Sequence, residues 1–230
     1  MGLCRVSCLV SMSVVWTTCA PALGQADDAL RRLADRYWDV TMERHPTWAT
    51  SLGDYRFNDR LEDVSEAGRK QWQATLGALL KEVLKLSSAG LSADDRLTRD
   101  LLERAIRDEL LRLECRLHYM PLEPLGGPQI SFPLILVSQP FRDASDFKSY
   151  AARLRAFPKQ VEDLITNMRT GVRRNLVSPR VIIEKVIPQI RAHIVDDTKQ
   201  SEFYTPVEKA GRLSDADRKA AVTVTGGSVI

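Results

Sequence analysis

Apolar residues recur along most of this chain at intervals of three and four, the spacing that places them on one face of a helix. From Asp27, "DDALRRLADRYWDVTMERH" sets Leu30, Leu33, Tyr37, Val40 and Thr41 on one stripe, and Pro46 predicts its stop. A second run, about Ser65 to Ser88, carries Trp72, Leu76, Leu79, Leu80, Val83 and Leu84. A third opens at Ser92, with Asp95 three residues on as a capping box. Its face holds Leu97, Leu101, Leu102, Ile106, Leu110, Leu113 and Leu117. Two long helices with the short link "SSAGLS" between them predict an antiparallel hairpin. The leucines do not keep a sustained heptad, which favours a globular bundle over a coiled coil.

Between the first two runs, "HPTWATSLGDYRFNDRLEDVS" is rich in turn residues but also holds Trp48, Tyr55 and Phe57, so it is expected to pack down as a loop. A fourth helix is expected over "DASDFKSYAARLRAFPKQVEDLITNMRTG". Phe147, Tyr150, Leu154 and Phe157 precede a kink or restart at Pro158, and Val161, Leu164, Ile165 and Met168 continue the face. A fifth, "SPRVIIEKVIPQIRAHIVDD", has Ser178 as N-cap, Pro179 at the first helical position and a kink at Pro188. "SEFYTPVEKA" reads as irregular. Ser214 with Asp217 opens a last helix that reaches Ile230 soon after it begins. That predicts either a frayed terminus or a polypeptide cut in mid-structure.

One stretch breaks the pattern. "LEPLGGPQISFPLILVSQPF", Leu122 to Phe141, gathers four prolines, the pair Gly126-Gly127 and an apolar run from Ile130 to Val137. Glycines permit positive φ or close approach, and the prolines rigidify. The expectation is an extended, buried segment. Its polar residues Gln129, Ser131, Ser138 and Gln139 could line a cleft that holds a peptide by backbone hydrogen bonds, or the stretch could be an ordered crossover between helical hairpins. The fold class expected is therefore all-α: a bundle of long antiparallel helices with one extended Pro/Gly-rich segment.

Composition changes the picture mainly at the N-terminus. The chain has 230 residues, 44% hydrophobic and 27% charged, enough for a sizeable core. Its first 26 residues hold a single charge, Arg5, then the apolar run Val6 to Trp16 and small residues up to Ala26. That is the layout of a secretory signal peptide, too interrupted by Thr17, Thr18 and Pro21 to span a membrane, and it predicts export to the periplasm or beyond. Lipidation at Cys19 is disfavoured by the bulky Trp16 and the Thr17-Thr18 pair before it. Cys4, Cys8 and Cys19 all lie in the leader, so the rest has Cys115 alone, with no intrachain disulfide. In "LLRLECRLHYM" it reads as a small buried hydrophobe. Outside the leader, 32 basic residues face 30 acidic ones, a net +2 with the signs interspersed, which points to neither nucleic acid nor an anionic membrane.

Catalytic patterns are sparse. The histidines, His45, His118 and His193, are not within a helical turn of one another, and each falls near a helix end, where a cation suits the dipole. No His-Glu pair exists for a helical metal site, and there is no Gly-x-Ser-x-Gly elbow or Gly-x-Gly-x-x-Gly loop. Asp94-Asp95 is explained by capping, and Asp27-Asp28 and Asp196-Asp197 by solvation. No catalytic, cofactor or metal residue is assigned.

Four stretches resemble a family of bacterial exported proteins, domain of unknown function 885 (DUF885). They are "RYWDVTMERHPTWATSLGDYRFNDRLEDVS", residues 120–172 from "MPLEPLGGPQ" to "MRTGV", "LVSPRVIIEKVIPQI" and "SEFYTPVEK". The resemblance implies a longer helical protein, similar to zinc peptidases or carboxypeptidases, whose later part carries a His-Glu-x-x-His motif. No position here matches that motif, so zinc is expected only in the missing C-terminal half. What carries over is an N-terminal, non-catalytic region, with Gly126, Gly127, Pro128 and Gln129 at a cleft wall. Its partners would be a peptide substrate or the missing half. A stand-alone exported module that binds peptides without catalysis is the alternative. The sequence departs from the family at Asn175, where a glycine is frequent; Asn tolerates a left-handed backbone there.

Overall fold

A computed structural model describes residues 23–209 together with Asp215. The leader, apart from residues 23–26, the terminal helix expected from Ser214, apart from Asp215, and Cys4, Cys8 and Cys19 lie outside the described residues. Within them the chain is all-α, with no strand. No helix there is long and apolar enough to cross a membrane.

Helix α1 spans Leu23–Arg44, beginning four residues before the expected Asp27. Pro46 stops it and, because the N–H it lacks would have no partner in a first turn, starts the short α2, Pro46–Ser51. Helix α3, Glu66–Lys85, is capped by Ser65, whose hydroxyl accepts from Gly68 N at 3.1 Å; α4, Ala93–Glu114, is capped by Ser92, which accepts from Asp95 N at 3.1 Å. The two pack as an antiparallel hairpin and α1 lies on both. Leu30 and Leu33 of α1, Trp72, Leu76, Leu79 and Val83 of α3, and Leu102 and Ile106 of α4 form the first core. Each such buried aliphatic side chain is worth about 1.5–3 kcal/mol. The hairpin's outer leucines are not covered: Leu84, Leu97 and Leu101 are exposed.

The segment 46–65 does pack down, but through residues other than its rings. Pro46, Ala49, Thr50 and Asn58 are buried, whereas Trp48 and Tyr55 are exposed. Part of it is also helical, in α2 and a 3-10 turn at Tyr55–Phe57.

The expected extended run corrects to two single helical turns, α5 (Pro128–Ser131) and α6 (Ile135–Ser138). Proline seeds the first, because its fixed φ suits position N1. Nor is the run buried throughout: Phe132 and Ile135 point inward, while Leu134 and Val137 are exposed. Helix α7 then runs unbroken from Ala144 to Arg173, through Pro158, capped by Asp143, which accepts from Ser145 N and Asp146 N. It ends in a Schellman arrangement: Leu176 N donates to Gly171 O at 2.9 Å, Asn175 N to Val172 O at 3.2 Å, and Asn175 sits at φ 56. The left-handed backbone that Asn tolerates is thus present. Phe132, Ile135, Tyr150 and Leu154 make the second core.

Helix α8 spans Arg180–Ala192 and runs through Pro188. Pro179, not Ser178, occupies its N-cap; the Ser178 hydroxyl instead reaches Leu122 O at 3.5 Å. "SEFYTPVEK" is wound rather than irregular, as a 3-10 turn at Glu202–Tyr204 and α9, Thr205–Lys209. Cys115 is exposed at the end of α4, not buried, because the helix finishes there and its face turns to solvent.

Candidate functional site

The Pro/Gly-rich stretch leads to a groove of about 430 Å³. One wall is α5 with Pro128, Gln129, Phe132 and Pro133. The opposite wall is the second half of α7, with Phe157, Val161, Leu164 and Met168; Ile190 near the end of α8, Ile194 just past it and Phe203 complete it. Phe132 stacks on Phe157 with centroids 3.5 Å apart and meets Phe203 at 5.2 Å, so the floor is aromatic. Tyr150 beneath donates its hydroxyl to Phe203 O at 2.8 Å, which anchors the 3-10 turn Glu202–Tyr204 to α7.

A polar clasp closes one end. His193, the C-cap of α8, contacts Glu202 Oε1 through Nδ1 at 2.8 Å and Gln129 O through Nε2 at 2.9 Å. Gln129 Nε2 donates to Glu123 O at 2.8 Å and to Gln189 Oε1 at 3.0 Å, and Gln189 Nε2 donates to Pro124 O at 3.1 Å. Gln129 is buried and its Oε1 has no hydrogen-bond partner among the described residues. Gly127 precedes α5 at φ −60, so positive φ is not its role. A Cβ there would sit 2.7 Å from Glu123 O and closer still to Gln129 Oε1, and glycine is what lets the clasp close.

Of the four cleft-wall candidates, Pro128 and Gln129 line the groove, Gly127 is buried behind them and Gly126 is exposed. Of the other polar residues expected to line a cleft, Ser131 is exposed and Ser138 half-buried but neither lines this groove, and Gln139 turns inward to accept from Arg153 Nη1 at 2.5 Å. Sequence reasoning missed His193, Gln189 and Phe203. The apolar spacing of Val161, Leu164 and Met168 was visible, but not that it would face a groove.

The chemistry available is apolar burial, because both ring nitrogens of His193 are engaged and the walls carry no nucleophile. The histidines lie on separate elements, and no group of three His, Cys, Asp or Glu among the described residues could hold a metal ion. The described residues therefore offer no site that fits zinc. His45 and His118 are not the cations expected at helix ends. Burial, with the charge of Arg44, lowers His45; burial, then the charges of Arg69, Arg116 and Arg174, pushes His118 down to about 4.

A family described as "Bacterial protein of unknown function (DUF885)" has a model that matches residues 46–226. No curated protein matches the chain. Among solved structures, one described as a "putative lipoprotein" from Colwellia psychrerythraea superimposes with a TM-score of 0.75 at 15% identity, over 89% of this chain and 38% of that one. At such identity the likeness is one of fold. The chain spans 38% of the length of that relative.

Proposed function

Because the chain belongs to the DUF885 family, we propose that it is the helical, non-catalytic part of a zinc-peptidase-like architecture. The His-Glu-x-x-His motif of that architecture is absent from these 230 residues. The observation that carries the reading is the share of the solved relative: the common fold fills 89% of this chain but 38% of that one, so in the Colwellia protein it is one part of a longer polypeptide. The groove beside Pro128 and Gln129 would be the wall that faces the metal-bearing part and receives apolar side chains of a peptide. The leader-like residues 1–26 and the relative's description as a lipoprotein support an exported location.

The test is zinc-dependent hydrolysis of peptides by purified residues 27–230. No turnover is expected with or without added zinc; turnover that a chelator abolishes would overturn the reading.

A second reading, an exported module that binds peptides without cleaving them, is favoured by the preformed clasp at the groove. Stability separates the two. A part of a larger fold exposes apolar surface and aggregates, whereas a self-sufficient module unfolds cooperatively as a monomer or defined oligomer.

A further inference from the structure

A second cleft, of about 660 Å³, opens between α1, α2, α3 and α4. Three of the protein's four tryptophans, Trp38, Trp48 and Trp72, line it with Tyr37. Trp38 and Trp48 stand at its mouth, 48% and 47% exposed, with ring centroids 6.3 Å apart and planes inclined by 57°. Trp72 is buried at the base, and the ring of His45 meets it edge-on at 6.0 Å. Two half-exposed indoles converging on one cleft leave π-faces open to whatever enters it.

The charges in the cleft are unequal in reach. Glu109 is half-buried and accepts from Trp72 Nε1 at 3.3 Å. Among the described residues no lysine or arginine comes within 4 Å of its carboxylate; Arg44 acts on it only from further away. Asp108 differs, since it pairs with Arg104 at 3.4 Å. Arg112 also lines the cleft; it is exposed, and its charge acts on Tyr37 alongside that of Glu109 without closing on the carboxylate. His45, lowered by burial, adds no positive charge at neutral pH. The balance is a carboxylate with no direct ion pair among the described residues, set among electron-rich rings whose faces attract cations.

We propose that the cleft bounded by Tyr37, Trp38, Trp48 and Trp72 binds an organic cation, a quaternary ammonium or a basic side chain, with its charge directed at Glu109. The ring faces take the apolar flanks of such a cation while its charge meets the quadrupole and the carboxylate together. A purely apolar ligand would gain nothing from Glu109, and an anion would be repelled by it.

The full chain is titrated with choline, with its uncharged carbon isostere 3,3-dimethylbutan-1-ol, and with a capped lysine peptide, following tryptophan fluorescence. Saturable binding of choline or the lysine peptide is expected, with the isostere about tenfold weaker. The tighter of the two cations assigns the source as a free onium or a polypeptide side chain. Glu109→Gln, which can still accept from Trp72, and Trp38→Ala, at an exposed ring, should each weaken the cation about fivefold or more while the unfolding midpoint holds. Equal binding of choline and its isostere would overturn the proposal, and so would the absence of saturation by either cation at millimolar concentration.

Discussion

The guanidinium of Arg153 donates to the carbonyl of Pro46 at 3.0 Å, across 107 positions of sequence. Arg153 is fully buried, and its other hydrogen bonds go to Arg60 O at 2.8 Å, Thr50 Oγ1 at 2.7 Å, Phe57 O at 3.2 Å and Gln139 Oε1. No carboxylate touches it among the described residues, and burial draws its pKa down to about 10, against the distant charges of Glu62 and Asp59. One planar fork with five donors thus pins segment 46–60 and the end of α6 to α7.

Replacing Arg153 by Met should destabilise the protein by about 3 kcal/mol or more, since several buried acceptors lose their donor at once. Arg153→Lys should recover little, because an ammonium cannot span the same acceptors. Urea unfolding of both variants checks this.

Glycine substitutions should divide by location. A Cβ at Gly171 would lie 2.6 Å from Leu176 O, 2.9 Å from Tyr119 Cβ and 3.0 Å from Tyr119 O, all backbone or stiff neighbours. Gly171→Ala should therefore cost about 1–3 kcal/mol. Gly77, inside α3 with nothing within 4 Å, should gain about 0.5–1 kcal/mol on mutation to Ala. Thermal unfolding of the pair gives opposite signs.

Stability should fall as the pH drops from about 6.5 to about 4. The folded-state pKa of His118 lies below its ordinary value, so within that window the unfolded chain binds a proton that the folded chain refuses. His45, also lowered, acts in the same direction. Unfolding free energies measured across this range should flatten in His118→Gln, and an unchanged slope would remove His118 as the cause.

Cys115, exposed and the only cysteine after residue 26, should react in the native state with a thiol reagent at one equivalent per leaderless chain. Stability should change by under about 0.5 kcal/mol, as for other surface substitutions. Protection of the thiol until denaturant is added would contradict this.

The sequence by itself determined what is local. Helix existence follows from the spacing of residues such as Leu76, Leu79 and Val83, helix starts from the side chains of Ser65, Ser92 and Asp143, and the left-handed residue from Asn175. Each of these signals acts within about a turn or two of helix, so it can be read without knowing the fold. Family membership was legible too, in the order of the quoted stretches. Tertiary structure decided the rest. Leu102 and Leu101 are adjacent on one apolar pattern, yet only Leu102 meets α1 and α3. Arg153, polar in any sequence reading, became the largest fully buried side chain among the described residues because carbonyls from residues 46, 57 and 60 converge on it. The groove and the tryptophan cleft likewise exist only where separate helices meet, since a concave surface depends on how elements pack and no single element's periodicity encodes that.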